Sequence, residues 1–116
     1  MDVSKELTAA SATPLVLSIL SEADSYGYQM IKRVRLLSGN EIVWTEGMLY
    51  PVLHRLEDQK LIASYWSEAE GGRKRKYYQI TESGRTNLET LMRGWNTVHE
   101  TLRRTGAPEI KEEPHV

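Results

Sequence analysis

Residues 49–57 read LYPVLHRLE, and residues 71–81 read GGRKRKYYQIT. The first stretch has apolar residues along one side of a helix, and the second is a glycine turn that leads into a cationic strand. A winged helix needs these features in this order, because its helix enters a DNA major groove while its turn places positive charge on the adjacent phosphates. The two stretches therefore predict a winged helix-turn-helix that binds nucleic acid.

The helix that contains LYPVLHRLE is predicted to begin after Thr45, whose hydroxyl can cap its first turn. Its buried face consists of apolar residues three and four positions apart, namely Leu49, Val52, Leu53 and Leu56. The opposite side of the helical wheel would face a ligand. It holds Gly47, Pro51, His54 and Asp58, with Tyr50 and Arg55 on its shoulders.

Several residues of this helix are candidate DNA contacts. Gly47 has no side chain, so the helix N-terminus can approach a phosphate closely. Tyr50, His54 and Arg55 can reach base edges or backbone oxygens. Pro51 removes one backbone hydrogen bond and implies that a bend is tolerated. The candidates are therefore Thr45, Gly47, Tyr50, Pro51, His54 and Arg55, and the alternative is an amphipathic surface helix without a ligand.

The wing is predicted as a hairpin of two β-rich runs, residues 61–67 and 75–80, joined through Glu70 and two glycines. Residues 73–76 are four consecutive cations, and strand alternation places Lys74 and Lys76 on one face and Arg73 and Arg75 on the other. All four cannot reach the same phosphate row, so we expect Arg73 and Lys74 at the tip to contact DNA. The alternative is a charged strand edge that prevents aggregation. Of the two tyrosines that follow, one is expected in the core and the other on the sheet face.

Weaker signals precede these elements. Residues 1–12 are a possible helical arm, and Thr13 with Pro14 predicts a first helix over residues 13–22. A second helix is predicted with Ser25 as its cap and an inward stripe of Gly27, Met30, Ile31, Val34 and Leu37. Its outward positions are cationic, and we expect Lys32 among them to contact DNA. Residues 41–44 are predicted to be a short edge strand.

The last helix, predicted over residues 82–105 with Thr81 as its cap, has apolar residues at heptad spacing: Leu88, Leu91, Trp95, Val98 and Leu102. A helix that protrudes from a small domain must cover this seam, and a second copy across a two-fold axis is the simplest cover. We therefore expect a homodimer. Trp95 is either an interface anchor or, with Leu91 and Val98, the wall of a pocket for a planar aromatic effector.

The resulting fold class is α+β, mostly α: a winged helix-turn-helix with a long C-terminal dimerisation helix. Its expected divisions are an N-terminal arm (1–12), a DNA-binding domain (13–81), a dimerisation helix (82–105) and a disordered tail (106–116). The formal net charge is −1, but the tail holds three glutamates and one lysine, so residues 1–105 carry +1. The clustering of positive charge in the wing therefore matters more than the total.

Other function classes are disfavoured by composition. The chain has no cysteine, which excludes a disulfide scaffold, a thiolate metal site and a thiol nucleophile. Its three histidines, His54, His99 and His115, are too far apart for metal-ligand spacing, and no catalytic constellation or nucleotide loop is present. No apolar run is long enough to span a membrane. We expect a cytoplasmic protein that is not an enzyme and needs no metal or cofactor.

Three segments together resemble the PadR family of bacterial winged-helix transcriptional regulators, in particular its small subgroup with one C-terminal dimerisation helix. They are SYGYQMIKRV at 25–34, EGMLYPVLHRLEDQKLI at 46–62 and EGGRKRKYYQITESGR at 70–85, within a similarity that runs over residues 15–102. The chain departs from many relatives in Pro14 and in its eleven-residue acidic tail.

The resemblance implies a dimeric repressor that binds an inverted repeat in double-stranded DNA through Tyr50, His54, Arg55, Arg73 and Lys74. Some relatives are released from DNA by phenolic acids, and others bind flat aromatic drugs between tryptophans of the two last helices. Trp95 falls where those tryptophans lie.

One rival interpretation is a winged-helix protein-interaction module in which the third helix packs on a partner protein and the wing charge serves solubility. Glu57 and Asp58 favour this alternative, because two acidic residues near the helix end would repel phosphates. Binding to DNA at low salt distinguishes the two.

Overall fold

A computed structural model describes residues 3–68 and 71–108 of the chain. Its elements, in order, are α1 (Lys5–Glu22), β1 (Ser25–Tyr26), α2 (Gly27–Leu37), α3 (Glu46–Asp58), β2 (Ile62–Glu68), β3 (Lys74–Ile80) and α4 (Glu82–Arg104). The first two residues of the predicted arm, Glu70 of the hairpin link and residues 109–116 of the predicted tail lie outside the described residues. The architecture is the predicted one, a mostly helical winged helix with a long last helix.

The three strands form one antiparallel sheet in the order β1-β3-β2. The central strand β3 pairs with β2 along its whole length, from Ile62 opposite Ile80 to Glu68 opposite Lys74. The two-residue strand β1 covers the other edge of β3, with Ser25 opposite Tyr78. The hairpin of β2, β3 and their connecting turn is hereafter called the wing.

One hydrophobic core joins the helices to the sheet. The buried face of α3 contributes Leu49, Leu53 and Leu56, all without solvent exposure. The rest of the core comes from α1, α2 and the sheet, mainly through Val16, Leu17, Leu20, Met30, Val34, Ile62 and Tyr78. The predicted apolar stripe of α3 therefore anchors this helix, and its opposite side remains in solvent.

The first helix is longer than predicted. It begins at Lys5 instead of Thr13, and the side chain of Ser4 caps it. The alanines and straight-chain residues before Pro14 favour helix strongly, so the helix begins nine residues before the proline. Pro14 itself lies buried inside the helix. The hydroxyl of Thr13 accepts a hydrogen bond from Arg55 at 2.6 Å, so Thr13 is not a cap.

The second helix is also capped differently from the prediction. Ser25 belongs to β1, and its hydroxyl donates to the Gln29 side chain at 2.9 Å instead of capping α2. The cap position falls on Tyr26, which makes no side-chain capping bond. Leu37, expected to point inward, is exposed. It is the last residue of α2 and lies beyond the core positions Met30 and Val34.

The predicted edge strand over residues 41–44 is wrong, because these residues adopt no regular secondary structure. The central strand β3 already pairs with β1 on one side and β2 on the other, so it offers this segment no free edge. The last residue of the segment, Trp44, instead has its side chain buried in the core. Of the other β-prone residues, Ile42 packs against the core and Val43 is exposed.

The predicted caps of the last two helices are confirmed. Thr45 accepts a hydrogen bond from the Met48 amide at 3.2 Å, and Thr81 accepts one from the Gly84 amide at 3.0 Å. The buried Gly84 also lets the start of α4 lie directly on the sheet, since a Cβ atom there would stand 2.1 Å from the carbonyl oxygen of Leu61. This close approach fixes the direction in which α4 leaves the domain.

Candidate nucleic-acid interface

The outer side of α3 is polar and accessible along its whole length. All six residues assigned to this side from the helical wheel are exposed: Gly47, Tyr50, Pro51, His54, Arg55 and Asp58. They are hereafter called the exposed face of α3. An α-helix of 13 residues, about 20 Å long, presents such a face at a size that a major groove accepts.

Two residues of the exposed face are tied to neighbouring helices. The guanidinium of Arg55 donates to the hydroxyl of Thr13 on α1. The ring of Tyr50 lies against the start of α2, where a Cβ atom on Gly27 would stand 2.8 Å from the Tyr50 hydroxyl oxygen. Arg55 has further N–H donors that this bond leaves available. Both contacts fix the position of α3 within the domain.

The role of Gly27 was missed at the level of sequence, where this residue was assigned only to an inward apolar stripe. Its buried position at the first residue of α2 leaves room for the Tyr50 ring. A glycine at the start of a helix, where capping residues are commoner, was the available signal.

The other candidate DNA contacts on the helices differ in whether their side chains already have a partner. The side chain of His54 is exposed and makes no hydrogen bond or ion pair with any residue that the structure describes. The hydroxyl of Thr45 is engaged in its capping bond. Lys32 is exposed on the outer side of α2, where its ammonium lies 5.4 Å from the ring centroid of Tyr28.

Two of the four cations of the wing, Arg75 and Lys76, lie on opposite faces, as strand alternation predicted. The Arg75 guanidinium lies 4.4 Å from the ring centroid of Tyr26, on the sheet face that points away from the core. The Lys76 ammonium lies on the other face, 5.6 Å from the Tyr78 ring centroid and 3.9 Å from a Glu57 carboxylate oxygen. Because Lys74 shares the face of Lys76, it lies on the α3 side of the wing.

The first two cations, Arg73 and Lys74, are hereafter called the wing tip. Both are exposed, and neither side chain makes a hydrogen bond or ion pair with another residue in the described ranges 3–68 and 71–108. The preceding Gly71 and Gly72 have φ values of 85° and 79°, which favour glycine. The turn therefore presents two side chains whose charge is available to an anion.

The tyrosines of β3 occupy the two environments that were expected. Tyr78 is buried in the core, whereas the ring of Tyr77 stacks on that of Tyr65 with 5.8 Å between centroids. Burial raises the pKa of the Tyr78 phenol, and the nearby charge of Glu57 raises it further. The phenol is thus neutral where the Lys76 ammonium lies against its ring.

The apolar seam of α4 becomes more exposed along the helix. It consists of Leu88, Leu91, Trp95, Val98 and Leu102. Leu88 and Leu91 pack against the core, and Trp95 is half-buried. Val98 and Leu102 are 55% and 57% exposed in the single chain. The first half of the seam therefore belongs to the domain, and the second half leaves apolar surface uncovered.

Two further features bear on the function. No group of three or more histidine, aspartate and glutamate residues with metal-binding geometry occurs in the part of the chain that the structure describes. Among those same residues, no helix is both long and apolar enough to cross a membrane.

Comparison with known proteins agrees with this geometry. A family model described as the transcriptional regulator PadR-like family matches residues 16–90. The chain is 34% identical over 89 residues to the transcriptional regulator YqjI of Escherichia coli, a match that covers 77% of this chain and 41% of that longer protein.

Solved structures show the same likeness. A transcriptional regulator from Clostridium thermocellum superposes with a TM-score of 0.81 at 29% identity, covering 90% of this chain and 98% of that one. A PadR family transcription regulator from Clostridium difficile superposes with a TM-score of 0.72 at 34% identity, covering 81% of this chain and 96% of that one.

Proposed function

Because this chain belongs to the PadR-like family of transcriptional regulators, we propose that it acts as a homodimeric repressor that recognises an inverted repeat in double-stranded DNA. Family membership itself makes the chain a DNA-binding regulator of transcription, and not an enzyme. The dimer, the direction of regulation, the symmetry of the site and the response to an effector are the parts that we propose.

The observation that carries DNA recognition is the alignment of α3 with the wing. The contact between Lys76 and Glu57 brings β3 against the C-terminal half of α3, and Lys74 lies on the same side of the strand. The exposed face of α3 and the wing tip are thereby presented to one duplex. In this arrangement His54 and Tyr50 read base edges while Arg73 and Lys74 bind phosphates.

Dimerisation is supported by the uncovered part of the α4 seam. Val98 and Leu102 lie one turn apart on the same side of a helix whose earlier seam residues are packed on the domain. A second α4 across a two-fold axis covers both residues in both chains. The two winged helices then read half-sites that are one DNA turn, or a multiple of one turn, apart.

An effector site is proposed at the same interface. Trp95 lies between the packed and the uncovered parts of the seam, with Leu91 and Val98 on adjacent turns. In the dimer, a planar aromatic molecule stacked on the Trp95 ring would separate or rotate the two α4 helices. Such a change alters the spacing of the half-sites and releases the DNA.

Genomic footprinting of the bound protein tests this proposal, followed by gel shifts on the recovered site and on a scrambled duplex of equal length. We expect an inverted repeat upstream of regulated genes, with tighter binding to the recovered site than to the scrambled one. Protein that binds neither duplex at low salt contradicts direct DNA recognition and favours the protein-interaction module.

A further inference from the structure

Glu57 is a residue of the recognition helix whose side chain contacts the wing. One carboxylate oxygen accepts a hydrogen bond from the hydroxyl of Ser64 on β2. The other lies 3.9 Å from the Lys76 ammonium on β3. A single carboxylate thus joins α3 to both strands of the wing.

Because of this contact, Lys76 has a carboxylate partner, which the two cations of the wing tip lack among the residues that the structure describes. Its side chain is 36% exposed and that of Glu57 is 32% exposed, so both remain within reach of solvent and of a bound duplex. Lys76 follows Lys74 by two residues and shares its strand face, so it points toward the same phosphate row. A phosphate that approaches Lys76 must also approach the Glu57 carboxylate, and this repulsion offsets the attraction.

We propose that Glu57 limits the affinity for DNA by withholding Lys76 from the phosphates, and that it holds the wing against α3. This role rests on the DNA-binding function proposed above. Phosphate contacts carry no sequence information and supply nearly all of the affinity for random DNA. Keeping Lys76 out of the phosphate row therefore lowers the affinity for random DNA and for the operator by about the same factor.

The direct test is Glu57→Gln, which removes the charge and keeps an oxygen that accepts the Ser64 hydrogen bond. Binding is measured for the operator recovered by footprinting and for a random duplex, over a series of salt concentrations. We expect the affinity for the random duplex to rise roughly fivefold to tenfold per wing at 0.1 M salt, with a slope of log affinity against log salt steeper by about 0.9 per wing. The affinity for the operator should rise by about the same factor, so the ratio between the two affinities should stay the same.

Asp58→Asn is the matched control, because it makes the same change in net charge at the adjacent, exposed position. Asp58 makes no ion pair with Lys76 or with another residue that the structure describes. Adding Lys76→Met should abolish the gain of Glu57→Gln and leave any gain of Asp58→Asn intact. Equal gains for the two acidic variants, both insensitive to Lys76→Met, would overturn the role of Glu57.

A second measurement leaves Glu57 in place. In the otherwise unchanged protein, Lys76→Met should alter the affinity for random DNA by less than twofold, whereas Lys74→Met should weaken it roughly fivefold to tenfold. Equal losses for both lysine variants would show that Lys76 already binds phosphate, and the proposal would be wrong.

Binding by the unmodified protein distinguishes a failure of the proposed function from a failure of the role proposed for Glu57. If that protein does not prefer the operator over random DNA, the proposed function itself is contradicted. If it does prefer the operator and Glu57→Gln leaves the affinity for both duplexes and the salt slope unchanged, only the role of Glu57 is rejected.

Discussion

Replacing Val98 and Leu102 of α4 with serine should dissociate the proposed homodimer without unfolding the domain. Both side chains are more than half exposed in the single chain, so serine removes little from the domain core. Both are the seam residues that a second α4 would cover. The variant therefore separates the stability of the dimer from that of the fold.

The size of the effect follows from the exposed fraction. Full burial of a valine or leucine side chain contributes about 1.5–3 kcal/mol, so covering the exposed half contributes about 0.8–1.6 kcal/mol. A symmetric dimer covers four such side chains, which gives about 3–6 kcal/mol in total. At about 1.4 kcal/mol for each tenfold change, the dimer Kd should rise roughly 100-fold to 10,000-fold.

Sedimentation velocity over a concentration series measures this change, and circular dichroism checks that helix content is retained. The matched control is Asn96→Ser with Thr97→Ser, which introduces two serines into the same helix on exposed positions away from the seam. The control should keep the dimer at twice the 13.3 kDa chain mass. If both double variants associate as tightly as the unmodified chain, the dimer does not use this seam.

The remaining predictions concern single positions. Lys74→Ala should weaken binding to operator and scrambled duplex equally, with a salt slope shallower by about 0.9 per chain, and a loss confined to the operator would contradict this. His54→Ala should instead cost about 1–3 kcal/mol on the operator alone, measured by gel shift on both duplexes. Gly84→Ala should destabilise the fold by about 1–3 kcal/mol in urea unfolding, because the new Cβ meets a backbone carbonyl, whereas the exposed neighbour Ser83→Ala should change little. Planar aromatic compounds should quench the intrinsic fluorescence, and Trp95→Phe should abolish that quenching; no response to a broad panel would argue against the effector site.

Much of the fold was predictable because its central elements carry local signals. The apolar stripe of α3, its cap at Thr45 and the cap of α4 at Thr81 are set by residues within one or two turns of each other. The glycine turn and the alternation of the wing cations likewise follow from neighbouring residues. Such patterns specify an element before any tertiary contact is known.

The errors arose where distant residues decide the outcome. Thr13 was read as a cap, but its hydroxyl is engaged by Arg55, which lies 42 positions later in the chain. Ser25 was read as a cap for α2, but it pairs with β3 through Tyr78. No local pattern contains these partners.

In the candidate site, too, features set by neighbouring residues were predictable and features set by distant residues were not. Strand alternation predicted that Arg75 and Lys76 lie on opposite faces, and the structure agrees. It did not predict that Glu57 would lie beside Lys76, because the two belong to elements whose packing depends on the whole core. Glu57 was considered only as a charge that repels phosphate, whereas its position also determines which lysine is available.

Fluorescence anisotropy of a labelled operator duplex, titrated with the unmodified protein at several salt concentrations, tests the central claim most directly. If each chain neutralises about four phosphates, two chains should bind per duplex with a slope of log affinity against log salt near about −7. Binding of one chain per duplex, or an affinity that barely changes with salt, would contradict the account.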